Sequence, residues 1–585
     1  MDLVLAGLAG PSDASASVAF DARGAELLAA LPRPRGTRAK AFCGDTEILP
    51  CKTLKEQGVS NASTVSYVFV PADLWHICDA LSRGKAVNAE GITVLHCDDS
   101  ANLAKSALDH VEHLSFGWAM NRSLRKVCLP SLQSLTLGHD FNQSLAGLRL
   151  PETLQSLTFG DCFDQSLDQV DFPKELQSLN FGDCFNQSLA KVRLPGLRIL
   201  TFGYCFCQSL VEVDLSSLEH LILGDVYNEP LDQVHLPRLV GLNLGLHFDQ
   251  GLQGVVLPEG LQHLCFGWAY SQSLAGVKLP TGLLSLSFGD FGEMLTVELP
   301  ENLQCLTMGK VSVEALQGLE LPQSLRSLCT EDIDLGVLKL KGLQSLSLGQ
   351  CFNRRLPDLP QSLRSLSFGK AFNQPPSHLP TGLEELTFGA DFNQPLQGVS
   401  FPENLRCLTF GHYFNSSLES LSFPQLLHLN LGYTFNQRLE KVGFPNLESL
   451  TFEGYFNQSL AEVSLPGLLC LTLGRHWNQP LDGVALPKLQ SLSFGADFNQ
   501  PLQVVLPCLE HLVLGEMFDQ SLAQAELAAL QSLVLGDAFD QPLAEAVARF
   551  PKLRKLALGK SFRRKVPEAW ALRSLEYQGI YVSVE

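Results

Sequence analysis

The chain has 585 residues and a formal net charge of −19, from 42 basic and 61 acidic side chains. This balance excludes a general nucleic-acid-binding role, because phosphate contact requires a basic surface. No apolar run reaches the roughly 18 residues of a membrane span. The opening MDLVLAGLAGPSD lacks a basic flank and carries Asp2, so it does not read as a secretion signal, and a cytoplasmic protein is expected.

In chain order, MDLVLAG and ASVAF read as two strands joined by the turn Gly10-Pro-Ser. GAELLAAL from Gly24 reads as a short helix stopped by Pro32 and Pro34. RAKAFCG, TEILP and STVSYVFV from Ser63 read as further strands. The ββαββ order, with the stretch Lys52-Thr-Leu-Lys-Glu-Gln-Gly-Val-Ser-Asn-Ala-Ser-Thr-Val, resembles a ubiquitin-like β-grasp over residues 1–71. A simple cap for the segment that follows is the competing reading. No diglycine follows Val70, so the resemblance implies an integral module that is read by a partner and not conjugated. Residues 72–105 are expected to connect and cap.

From residue 106 to the end one phrase repeats about every 21 residues. It reads LQSLTFGDCFDQSL from Leu154, LQSLNFGDCFNQSL from Leu176 and LQSLSFGADFNQPL from Leu489. A fixed period of this size predicts a solenoid. Leu157 and Phe159 alternate with polar residues, which predicts a short strand. Successive strands then stack in parallel about 4.8 Å apart. The glycine is expected where the chain bends. Phe185, Phe392, Phe435, Phe456 and Phe498 should form an aromatic spine, with Trp477 and Tyr227 as substitutes. Asn186, Asn393, Asn436, Asn457 and Asn499 are expected to turn inward and bond the backbone of adjacent rungs. Returns such as Val192-Arg-Leu-Pro are too short for a helix.

The phrase LPxxLxxLxFGxxFNQPL resembles the FNIP repeat, a short relative of the leucine-rich repeat. That resemblance implies an interaction module without catalytic residues. The predicted fold is therefore an α+β, β-grasp-like N-terminal domain followed by a long, mainly β, leucine-rich-repeat-like solenoid with a parallel sheet. The phrase lapses between Asp290 and Leu343, where Thr330 and Glu331 replace the aromatic and the glycine. Drift and a local hinge are both open there.

No nucleophile elbow, phosphate loop, HExxH or EF-hand pattern occurs, so neither an enzyme nor a cofactor is expected. The chain has 16 cysteines. Cys162, Cys184 and Cys205 share a register close enough for thiolate chemistry, but reduced structural thiols are the expectation, with no metal site. His113, His220, His263, His428 and His511 recur on the strand, never on adjacent rungs, and read as surface residues. Asp164, Asp249, Asp519 and Asp540 replace the repeat asparagine without the clustered oxygens that calcium needs.

The candidate binding face is the open side of the strands: Ser134, Thr136, Gln155, Ser156, Thr158, Ser178, Asn180, Ser449, Thr451, Ser491 and Ser493. The expected function is a non-enzymatic scaffold or adaptor. Its solenoid would recruit a protein client, and its N-terminal module would engage a ubiquitin-reading protein. Carbohydrate or surface binding by the hydroxyl face is the alternative. Nucleic acid and a membrane span are not expected.

Overall fold

A buried leucine at the centre of a short strand builds each described rung, and in many rungs small polar residues flank it. In the strand Ser156–Thr158 the central Leu157 is fully buried and its neighbours are half-buried. The same pattern holds in Ser134–Thr136, Ser178–Asn180, Ser491–Ser493 and Ser532–Val534. Strands this short cannot stand alone, so their stability depends on stacking.

The computed structural model describes residues 111–559, apart from 291–297, 311–318, 543–546 and the single positions 126, 128, 333, 377 and 548. It also describes the backbone of strands before residue 98 and at Tyr581–Val584. The chain divides into two compact units, Met1–Gly289 and Asp290–Glu585.

In the first unit, parallel strands run from Val94–Cys97 through His113–Phe116 to Ser285–Phe288. Their register is strict: Leu135 pairs with Leu157, Leu157 with Leu179 and Leu179 with Leu200. In the second unit the parallel series runs from Cys305–Met308 to Tyr581–Val584. The fold of both is a parallel β-solenoid. Its returns are tight turns, as in Val192 N–H donating to Leu189 O at 2.9 Å.

The N-terminal strands β1 (Asp2–Gly7), β2 (Ala14–Ser17), β3 (Thr37–Cys43), β4 (Thr46–Glu47) and β5 (Thr64–Pro71) form a separate sheet. Its order is β2-β1-β5-β3-β4, with β1 parallel to β5 and the other pairs antiparallel. The predicted helix at 24–31 lies outside the described residues, as does most of the 72–105 connector.

Two aromatic columns fill the solenoid. The strand-end rings Phe159, Phe181 and Phe202 stack at 5.2 and 5.4 Å. The spine rings Phe163, Phe185 and Phe206 stack at 5.9 and 6.1 Å. The second unit repeats the difference. Phe368, Phe388 and Phe410 are spaced at 5.5 and 5.4 Å, whereas Phe372, Phe392 and Phe414 are spaced at 6.1 and 5.9 Å. Rungs that spread apart away from the strands make the strand face the concave side within each unit.

At Gly160 and Gly182 the repeat glycine is selected for space and not for a special backbone angle, whereas Gly245 also takes a φ of 79°. A Cβ on Gly160 would overlap the carbonyl of Gly138 and crowd the Cα of His139. Gly182 meets Gly160 and Asp161 in the same way. Neither has a positive φ. In the lapsed stretch, Glu331 stands in the glycine position and its Oε2 accepts from Gln350 N–H at 2.9 Å. Thr330 takes the core position at 1% exposure, and its hydroxyl has no hydrogen-bond partner among the described residues.

Candidate functional site

The repeat places like side chains at one strand spacing, so the strand face is a set of columns. Ser134, Ser156 and Ser178 are in register, as are Thr136, Thr158 and Asn180. Ser449, Cys470 and Ser491 form the corresponding column in the second unit, beside Thr451, Thr472 and Ser493. These serines, together with Thr136, Thr158, Asn180, Thr451 and Ser493, are half-buried, whereas Gln155 and Thr472 are exposed. Hydroxyls also bond across rungs, as between Ser367 and Ser347 at 3.0 Å.

One edge of this face carries charge. Arg198 donates to both carboxylate oxygens of Glu219, at 2.9 and 2.7 Å. That contact holds the Glu219 carboxyl below its ordinary range. Burial, together with the Glu448 carboxylate, pushes the Cys470 thiol up, so it is a poor nucleophile at neutral pH. A shallow groove of about 480 Å³ crosses the second unit from the strand face toward the glycine bends. Thr451, Thr472 and Ser493 line it, with Glu453, Arg475 and Glu516 also at its walls.

The asparagines form a ladder, but they do not turn fully inward. Asn186, Asn436, Asn457 and Asn499 are half-buried and Asn393 is exposed. Each Oδ1 accepts from the rung that follows. Asn436 Oδ1 accepts from Asn457 N–H at 2.9 Å and from Gln458 Nε2 at 3.1 Å. Asn393 accepts from Asn415 N–H, and Asn186 from Cys207 N–H and Gln208 Nε2. Asp164 and Asp519 fill the same place with a carboxylate oxygen, accepting from Asn186 and Asp540 N–H. The phenylalanine beside each asparagine takes the core, and the amide lies along the rim.

A second surface went unnoticed in the sequence. The two variable residues between the glycine and the spine aromatic project onto a ridge. Trp118, Tyr204, Trp268, Tyr413 and Tyr455 are exposed there. Several of them stack across rungs. Trp118 lies 4.0 Å from the His139 ring at 11°, and His412 lies 4.8 Å from Tyr433 at 2°. Tyr455 stacks on His476 at 4.7 Å, and His476 Nδ1 meets Asp497 Oδ2 at 2.7 Å. The available signal was the enrichment of aromatic residues and histidine at positions that the core does not constrain.

Cys162, Cys184 and Cys205 lie on this ridge as free thiols. Loss of solvation, with the Cys162 and Cys205 thiols and the Asp183 and Asp161 carboxylates nearby, pushes the Cys184 thiol up. The strand histidines are separate, as expected: Gly241 lies between His220 and His263. Among the described residues, no helix is long and apolar enough to cross a membrane.

Residues 121–162, 163–205, 248–291, 352–391, 392–434 and 477–517 match the FNIP Repeat family. No curated protein matches the chain. Among solved structures, it is similar to CroV588, described as a novel circular LRR protein. That likeness is 28% identical over 84% of this chain and 80% of the other, with a TM-score of 0.60. YopM from Yersinia enterocolitica WA-314 is 18% identical over 79% of this chain and 92% of its own, with a TM-score of 0.33. The mouse RP105/MD-1 complex is 14% identical over 85% and 86%, with a TM-score of 0.40.

Proposed function

We propose that this chain, which carries FNIP repeats in a leucine-rich-repeat-like solenoid, is a non-enzymatic interaction scaffold that holds a protein client on its strand face. The observation that carries this reading is the groove at Thr451, Thr472 and Ser493. Its floor supplies uncharged donors and acceptors, and its walls carry both signs of charge. Those are features for gripping an extended polypeptide. Nothing in the groove resembles a nucleophile with an activating base. The setting proposed for the scaffold is the cytoplasm.

The test replaces Thr472 and Ser493 together by arginine in the full chain. Two long cations should fill the groove and lower client capture from a cell lysate at least tenfold, with an unchanged thermal midpoint. Capture equal to that of the parent would place the client elsewhere.

A second element of the proposal is that residues 1–71 are a ubiquitin-like β-grasp that engages a ubiquitin-reading protein. The strand order β2-β1-β5-β3-β4, with β1 parallel to β5, supports it. A fragment of residues 1–71 expressed alone should give a dispersed amide NMR spectrum. A random-coil spectrum would remove this link and leave the solenoid scaffold.

Carbohydrate binding is the competing reading. It is favoured by the hydroxyl columns and by the exposed Tyr455 ring, stacked on a half-buried His476, on the ridge above the groove, since sugars stack on aromatic faces. A glycan array probed with the full chain separates the two readings.

A further inference from the structure

We infer that His139, Asp140 and Cys162 form a binding site for a divalent transition-metal ion of the zinc type, on the ridge of the first unit. The site arises from two adjacent rungs. Gly138 is followed by His139 and Asp140, and Gly160 by Asp161 and Cys162. Stacking brings these pairs together. One donor atom of each of His139, Asp140 and Cys162 lies within 4.8 Å of those of the other two.

The distances suit one small ion. In a tetrahedral zinc site, bonds of roughly 2.0–2.3 Å put donor atoms about 3.3–3.6 Å apart. His139 Nδ1 and Cys162 Sγ are 3.8 Å apart. His139 Nδ1 and Asp140 Oδ1 are closer, at 2.7 Å. That pair must open by about 0.6 Å to reach the same geometry. The Asp140 side chain is 44% exposed, so it can swing outward to do so.

The ring that supplies the nitrogen is already held. Trp118 stacks on one face of His139. On the far side of the ring, Nε2 meets Asp161 Oδ2 at 3.4 Å. Without metal, Nδ1 donates to Asp140 Oδ1; an incoming ion takes the place of that proton, and Asp161 then accepts from the N–H at Nε2, as in carboxylate–histidine–zinc arrangements. Mixed nitrogen, oxygen and sulfur donors favour zinc or cobalt over calcium and magnesium, which require oxygen ligands. Three protein donors leave a fourth position for water or for a donor from another molecule.

The test uses cobalt(II) as a spectroscopic probe and zinc(II) in chelator competition, on the full chain stripped of metal and kept reduced. The parent should take up one equivalent of cobalt. It should show the visible bands of tetrahedral coordination and a thiolate charge-transfer band. Both should vanish in Cys162→Ala and in His139→Ala and persist in Cys184→Ser. Asp161→Asn should weaken zinc affinity about 10–100-fold. Cys162→Ala and Asp161→Asn keep the test decisive if His139→Ala loses its stack on Trp118 and folds poorly. No stoichiometric uptake by the parent, or bands that survive Cys162→Ala, overturns the inference. Bands lost in Cys184→Ser would also overturn it, in favour of a cluster of thiols.

Discussion

The rim asparagines show how one atom sets the stability of a rung. Asn436 Oδ1 is the acceptor for two donors of the next rung, Asn457 N–H and Gln458 Nε2. Asn436→Leu removes that acceptor and should destabilise the protein by about 1–3 kcal/mol. Asn436→Asp keeps an oxygen in place, as Asp164 and Asp519 do, and should shift stability by less than about 0.5 kcal/mol. Urea denaturation midpoints distinguish the pair, and equal losses would show that the amide acts by something other than its oxygen. Changes on the open face at Thr472 or Gln490 should leave the midpoint nearly unmoved. Tyr227 presents the opposite case. Its side chain is fully buried in the phenylalanine register and its hydroxyl has no hydrogen-bond partner among the described residues. Burial, and then the Glu229 carboxylate, push its pKa up, so the phenol remains neutral. Tyr227→Phe should therefore stabilise by about 1 kcal/mol, and a lower thermal midpoint would mean that the hydroxyl has a partner.

At the scale of the strand and its bend, legibility followed from what repeats. The Leu157 and Phe159 alternation and the Phe185 register are hydrophobic periodicities, and the burial of these residues is what the period encodes. The glycine was legible as a bend, but its cause was not, because the carbonyl of Gly138 that crowds Gly160 lies one rung away. Gly160→Ala should cost about 1–3 kcal/mol through overpacking. An unchanged denaturation midpoint would show that adjacent rungs can separate there. The asparagine was read as inward because a repeated amide suggests burial, whereas its oxygen bridges successive rungs and the side chain lies at the rim, with the Asn186 Nδ2 also reaching Cys207 Sγ. The ridge was hidden for a related reason. Trp118, His139 and Cys162 occupy positions free to vary within one repeat, and their proximity exists only between repeats. The strand-face columns were readable, since Ser156 and Thr158 recur in phase, but the groove at Thr472 depends on rim residues with no period.

At the scale of the chain, energetics should be nearly local. Each rung touches its neighbours, so distant substitutions share no partner. Tyr227 and Asn436 belong to different units. The double variant Tyr227→Phe, Asn436→Leu should show the sum of the single effects to within about 0.5 kcal/mol. A larger discrepancy in denaturation free energy would reveal long-range cooperativity. The net charge of −19 favours clients with basic or neutral surfaces, and capture of a basic client should weaken as salt is raised. The rim ladder also has a direction. Asn142 N–H donates back to Asn121, Asp164 back to Asn142 and Asn186 back to Asp164, and the second unit runs the same way from Asn373 to Asp540. Protein synthesis proceeds in that order, so each acceptor has left the ribosome about one repeat before the donors that need it. A nascent rung meets a finished template and extends it, whereas a chain refolding from denaturant has no such schedule.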